Sequence, residues 1–185
     1  THAVSAASKG DAVKPLHNVN TADSYADLPF LPAGGVASAK GFEACGIHAG
    51  FRADPKRLDF ALVAADQPAA CAAVFTTNVF CSAPVTVSKE HLDGAGYGIA
   101  RAVAINSGIA NAATGDKGLQ TARQSSGIVA DALGCPVQEV LVASTGVIGQ
   151  HLQMEPFESG APLAASALSA AGGADAARAI MTNSP

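Results

Sequence analysis

Tryptophan is absent from the 185-residue chain and tyrosine occurs only as Tyr25 and Tyr97, within an aromatic content of 5%. Recognition through aromatic platforms is therefore not expected. Charge is also sparse: 11 Lys and Arg against 15 Asp and Glu, 14% of the chain, with a formal net charge of −4. The basic residues are scattered, so the field needed to condense on phosphates is missing and no nucleic-acid partner is expected. No stretch approaches the roughly 20 uninterrupted apolar residues that span a bilayer, so the chain is read as soluble, with no membrane contact. The four cysteines, Cys45, Cys71, Cys81 and Cys135, show no C-x-x-C spacing, and there is no Asn-x-Ser/Thr site. A reducing compartment with inert thiols is the expectation.

What the chain does have is small apolar residues. Hydrophobic residues make up 49%, with alanine prominent among them and 19 glycines besides, a composition that favours close backbone packing and tight turns. The length fits about one domain of roughly 100–200 residues. A chain this size buries about two-thirds of its unfolded surface, which suffices for a core without disulfides or metals and excludes disorder as the dominant state.

Residues 1–33 read as a flexible amino-terminal arm. The first ten contain no acid, and the chain opens on Thr1, which suggests a processed start. Its serines and Lys9 resemble the remnant of an organelle transit peptide, plastid before mitochondrion, with the cytoplasm as the alternative. Tyr25, Leu28, Phe30 and Leu31 around Pro29 and Pro32 suggest an extended segment on the body. From Gly34 onward, Asp59–Ala65 and Ala72–Thr77 read as strands separated at Asp66-Gln-Pro68. Pro84-Val-Thr-Val-Ser88 alternates as a half-buried strand does. Arg101–Asn106 is a fourth strand, expected to end in a loop at Asn106-Ser-Gly-Ile-Ala-Asn111. A helix follows Thr114-Gly-Asp116, with Asp116 as its cap and Gly134 and Pro136 as its stop. Val140–Ser144 is a fifth strand running into Thr145-Gly-Val-Ile-Gly149, and 161–171 and 174–182 read as Ala-rich helices. Strands, helix, strand and helices in that order predict an α/β fold of α+β character, a layered arrangement of sheet and helices.

Gly94-Ala-Gly96-Tyr-Gly98 precedes a strand and reads as a turn, not a dinucleotide loop. Cys45-Gly-Ile-His48 has metal-like spacing but no second pair to complete four ligands, so no metal is expected. His17, His91 and His151 lie among polar turn residues and read as surface. The strand ending in Ser-Thr-Gly is different. It places the Thr145 hydroxyl beside the unshielded peptide N–H of Gly146, and two converging donors are what an oxyanion needs. An ordinary Thr-Gly turn stands beside that reading.

Five segments together resemble the amino-terminal half of the ornithine acetyltransferase family, the glutamate N-acetyltransferases of arginine biosynthesis. They are Gly35-Val-Ala-Ser-Ala-Lys-Gly-Phe42, Val74-Phe-Thr-Thr-Asn78 with Ala83-Pro-Val85, Asn106-Ser-Gly-Ile-Ala-Asn-Ala-Ala-Thr-Gly115, Val140-Leu-Val-Ala-Ser-Thr-Gly-Val-Ile-Gly149 and Ala179-Ile-Met-Thr182. The resemblance covers the chain from about Gly34 to its last residue. It implies a precursor that cleaves itself before a threonine into an α chain and a β chain, arranged as an αβ hetero-oligomer. Residues 34–185 would be the α-chain part of the acetyltransferase domain, a layered α/β sandwich with the active site between chains. The new terminal threonine would take acetyl from N-acetylornithine and pass it to glutamate in a ping-pong cycle. It would carry its own base in the free α-amine. No cofactor is implied, although some members also accept acetyl-CoA as acetyl donor.

Carried over by position, Thr145 and Gly146 match the oxyanion pair, through hydroxyl and backbone N–H respectively. Thr182 falls where the family has a substrate-binding threonine, usually within Met-Thr-Thr-Asp. Here the end reads Met181-Thr-Asn-Ser-Pro185, so Asn183 replaces the second threonine and Ser184 the acid. Ile109 stands where many members have a polar residue, a change expected to affect packing. The sequence stops before the family's glycine-rich segment with its lysine and before the cleavage point, so the nucleophile is expected on the β chain. The alternative is a non-catalytic relic or paralogue acting as a structural subunit of a larger assembly. A related self-processing amidohydrolase or aminopeptidase shares the terminal-nucleophile logic but fits the linked segments less well.

Overall fold

The apolar run beginning at Phe60 is the centre of the fold. The computed structural model describes residues 34–92 and 96–182; the expected arm over 1–33, His17 and the Asn183-Ser-Pro end lie outside the described residues. Strand β1 (Phe42–Ile47) pairs antiparallel with β2 (Phe60–Ala72), and β2 pairs antiparallel with β3 (Tyr97–Ile109). β3 pairs parallel with β4 (Val140–Val147), giving the order β1-β2-β3-β4. A parallel pair needs a crossover, and helix α2 (Gly115–Leu133) provides it. Helices α1 (Ala83–His91), α3 (Glu155–Ala167) and α4 (Gly173–Ala179) complete the order.

Alternation along β2 sends successive side chains to opposite faces, and over Phe60–Ala65 both faces are covered, whereas Asp66–Ala72 is mostly exposed. Phe60, Leu62 and Ala64 join Ala102, Ala104, Val129, Val140, Phe157 and Ala161 in the main core, beneath α2 and α3. Phe51, Phe60 and Phe157 cluster there, with the rings of Phe60 and Phe157 edge-on at 5.8 Å. α1 extends the same layer through Val87, Ala122 and Val142. On the other face Ala61, with Ala44, meets Ala176 and Ala179 of α4. Coverage on both sides explains why the strands read as nearly continuous apolar runs. The α/β layered class is as expected.

Several elements differ from expectation. Pro84–Ser88 is the body of α1, not a strand. Its buried residues are Pro84, Val87 and Ser88, a helical spacing of three and four. Pro84 also sits in the first turn, where a missing N–H costs nothing. The break at Asp66-Gln-Pro68 is a register shift within one strand, between Ala64 and Ala69, and β2 ends at Ala72, so Ala73–Thr77 is not a strand. β3 runs on through Ser107 and Gly108 to Ile109, into the span expected to be a loop. Thr114, not Asp116, occupies the N-cap of α2; Asp116 lies in its first turn, where its charge favours the helix dipole. Gly134, at φ 63°, ends that helix as expected. α3 starts at Glu155, before the expected 161.

Candidate active-site cleft

The carboxyl ends of the two parallel strands form the site. Ser107 lies opposite Thr145, Gly108 opposite Gly146 and Ile109 opposite Val147. The facing glycines both have positive φ, +114° at Gly108 and +136° at Gly146. A Cβ at Gly146 would overlap the Gly108 carbonyl, so this approach of the strands requires glycine there. Just before the glycines, the Ser144 hydroxyl donates to Asn106 Oδ1 (2.6 Å) and Asn106 Nδ2 donates to the Ile109 carbonyl (3.0 Å). A polar brace therefore ties the two strands together just before their close approach at the glycines. Beyond it, Ala110 N–H donates to the Val147 carbonyl and Gly149 N–H to the Ala112 carbonyl. β4 is the sheet's edge, so one side of its backbone has no strand partner among the described residues.

A second wall comes from the turn between β1 and β2. Asp59 is fully buried and its carboxylate accepts the peptide N–H groups of Ala49 (2.6 Å), Gly50 (3.2 Å) and Arg52 (2.9 Å). His48 Nδ1 lies 3.3 Å from the same carboxylate and donates to the Arg57 carbonyl at 2.9 Å. These bonds satisfy a buried charge that would otherwise be costly. They fix Arg52, whose Nε donates to the Ser107 hydroxyl (3.2 Å) and whose Nη2 donates to the Met181 carbonyl (2.9 Å). Burial pushes the Arg52 pKa down, Arg57 adds to that and Asp59 opposes it. A guanidinium remains charged all the same.

Arg52, Gly108, Gly146, Val147 and Thr182 line a cleft of about 320 Å³. Of the residues singled out in the sequence, Gly146 and Thr182 thus meet across one cavity. Thr145 is half-buried in β4 next to Gly146. Glycine backbone, the Arg52 guanidinium and a threonine around one small cavity are suited to an anionic oxygen. Arg52, Asp59 and the Asn106–Ser144 brace are the parts that the sequence reading missed. A lone acid at the very start of an apolar strand was the available signal for Asp59, whereas nothing local marks Arg52.

The remaining candidates fall elsewhere. Cys45 is buried in the main core, its thiol donating to the Ala164 carbonyl (3.2 Å). His48 serves the Asp59 turn, so the metal-like spacing does different work at each end. His91 is not simply solvated: its Nδ1 donates to the Val140 carbonyl at 2.8 Å. Ile109 packs against the main core. Gly96 and Tyr97 lead into β3, while Gly94 lies outside the described residues.

The profile of the ArgJ family matches residues 43–184. The chain is 49% identical over 150 residues to an arginine biosynthesis bifunctional protein ArgJ of Synechococcus, covering 81% of this chain and 35% of the relative. It is 46% identical over 150 residues to a chloroplastic ArgJ of Zea mays, covering 80% and 32%. The chain thus spans about a third of the length of the curated relatives it matches. Among solved structures, it resembles the ornithine acetyltransferase of Mycobacterium tuberculosis complexed with ornithine, with a TM-score of 0.77 and 38% identity over 83% of this chain and 82% of that one. The ArgJ protein of Bacillus halodurans superposes with a TM-score of 0.74, also at 38% identity, over 83% and 78%.

Proposed function

Because the chain belongs to the ArgJ family, we propose that it forms the oxyanion-binding wall of a glutamate N-acetyltransferase acting in arginine biosynthesis. The observation that carries this reading is the glycine pair Gly108–Gly146 in the Arg52–Thr182 cleft. In the proposed cycle, an amino-terminal threonine on a β chain of the same precursor attacks the acetyl carbonyl of N-acetylornithine. Its α-amine takes the hydroxyl proton. The Thr145 hydroxyl and the Gly146 N–H receive the developing oxyanion. The amide C–N bond then breaks, the proton goes to the leaving amine, and ornithine departs from an acetyl-threonine ester. The amine of glutamate attacks that ester, the threonine hydroxyl is regenerated, and N-acetylglutamate leaves. Thr182 contacts the amino-acid substrate. The mechanism requires no cofactor, and acetyl-CoA can serve as an additional acetyl donor. The ornithine complex of the M. tuberculosis relative supports the substrate class. The chloroplastic relatives of Zea mays and Ostreococcus lucimarinus support a plastid location.

The test is Thr145→Ala in the complete protein with its nucleophile-bearing chain. Loss of one oxyanion donor lowers the acetyl-transfer rate about a hundredfold. Full activity in that variant would remove Thr145 from the mechanism. Intact-mass and amino-terminal analysis of the purified enzyme is expected to show a second polypeptide beginning with threonine.

A further inference from the structure

The Arg52 guanidinium joins two segments distant in sequence. Its acceptors, Ser107 Oγ and the Met181 carbonyl, lie 55 and 129 residues away, and each immediately precedes a residue lining the cleft, Gly108 or Thr182. The arginine is itself held, since its peptide N–H is on the Asp59 carboxylate. The Asp59 carbonyl accepts the Ser107 N–H at 2.8 Å, so one buried residue fixes both the base of the arginine and the strand it reaches. Beyond α4 the chain turns once, with Met181 N–H on the Arg178 carbonyl, and Arg52 takes up the Met181 carbonyl.

We infer that Arg52 is a positioning residue that holds the Met181–Thr182 segment against the Ser107–Gly108 end of β3, setting the distance between Thr182 and the oxyanion wall. The inference rests on the proposed function, in which Thr182 contacts the substrate. A planar fork with donors at fixed angles serves two acceptors at once, whereas a lysine ammonium on a flexible stem does not reproduce that geometry. Arg52→Met keeps the alkyl length and removes both bonds, Arg52→Lys retains at most part of them, and Ser107→Ala removes one.

The experiment combines amide hydrogen exchange over residues 180–182 with steady-state kinetics in the complete enzyme. Arg52→Met is expected to speed exchange in that segment and to raise KM for N-acetylornithine about tenfold, the scale of a lost charge-assisted hydrogen bond, with little change in kcat. Arg52→Lys and Ser107→Ala fall between it and wild type. Adding Arg52→Met to Thr182→Ala is expected to raise KM no further, because the arginine acts through that threonine. Unchanged exchange, or additive effects in the double variant, overturns the inference. If Thr182→Ala raises KM while Arg52→Met alters neither exchange nor KM, the role of Arg52 falls and that of Thr182 stands. If Thr182→Ala leaves KM unchanged while Arg52→Met still speeds exchange, the clamp holds and the substrate contact of Thr182 falls. Should Arg52→Met fail to fold, Ser107→Ala and Arg52→Lys carry the same comparison.

Discussion

Gly146 shows how much can rest on a missing side chain. Its φ of +136° lies where L residues are strained, and a Cβ there would also meet the Gly108 carbonyl. Backbone strain of this kind costs about 1–3 kcal/mol, and the overlap adds to it. Gly146→Ala is accordingly expected to lower stability by at least about 2 kcal/mol and to abolish acetyl transfer, as measured by denaturant unfolding and a coupled assay. A stable, active variant would show that the close approach is dispensable. This residue was legible beforehand, because an apolar run followed by Ser-Thr-Gly is a local pattern. Arg52 was not. Ala53, Asp54 and Pro55 after it look like any turn, and its partners lie 55 and 129 residues away. Only the folded chain brings them together.

Among the elements, the turn between β1 and β2 has the most leverage on the site. Three peptide N–H groups point at the Asp59 carboxylate. Asp59→Asn would turn a donor-bearing amide toward some of them and leave buried groups unpaired, at about 1–3 kcal/mol. The expected outcome is that lower stability, measured by denaturant unfolding, with faster hydrogen exchange at Ala49–Arg52. Exchange confined to wild-type rates would place the turn's rigidity elsewhere. The case of α1 shows why an element can be misread. Pro84-Val-Thr-Val-Ser88 alternates in hydrophobicity over five residues, too short a window to separate period 2 from period 3.6. The deciding contact is distant: the Ser88 hydroxyl donates to the Val142 carbonyl (2.9 Å) and accepts the Val142 N–H (3.0 Å). A side chain on a helix thereby satisfies backbone groups of β4, an arrangement with no local signature. The runs in β2, β3 and β4 were readable because burial on both faces leaves little polar alternation to confuse them.

For the molecule as a whole, the helical layer over the main core seals Cys45 against α3. Burial pushes its thiol pKa up; a backbone hydrogen bond at Leu62 opposes this and Asp175 adds to it. Burial likewise raises the Cys135 thiol pKa. An acid that ionises at higher pH when folded contributes its stability in full below the unfolded pKa and loses it as pH rises through the folded one. The thermal midpoint is therefore expected to fall across the alkaline range above the ordinary thiol value. Cys45→Ser should flatten that fall, as followed by unfolding scans at a series of pH values. An equal slope in both proteins would place the alkaline sensitivity on another group. The layered class was legible from the order of elements. The side of the sheet that each helix covers was not, since that depends on which parity of each strand its apolar residues meet.

The α2 crossover has a consequence in time as well as in space. Asn106 and Ser144, which brace the glycine pair, are separated by 38 residues, with the whole of α2 between them. Loop-closure entropy must be overcome before such pairings are rewarded, and non-local contacts slow folding. The β1–β2 turn can close early around Asp59, but the β3–β4 wall of the cleft is incomplete until α2 has docked and delivered β4. Completion of the cleft is therefore expected late in folding, and substitutions that slow the docking of α2 are expected to delay the return of activity in refolding time courses even where they leave the finished cleft unchanged.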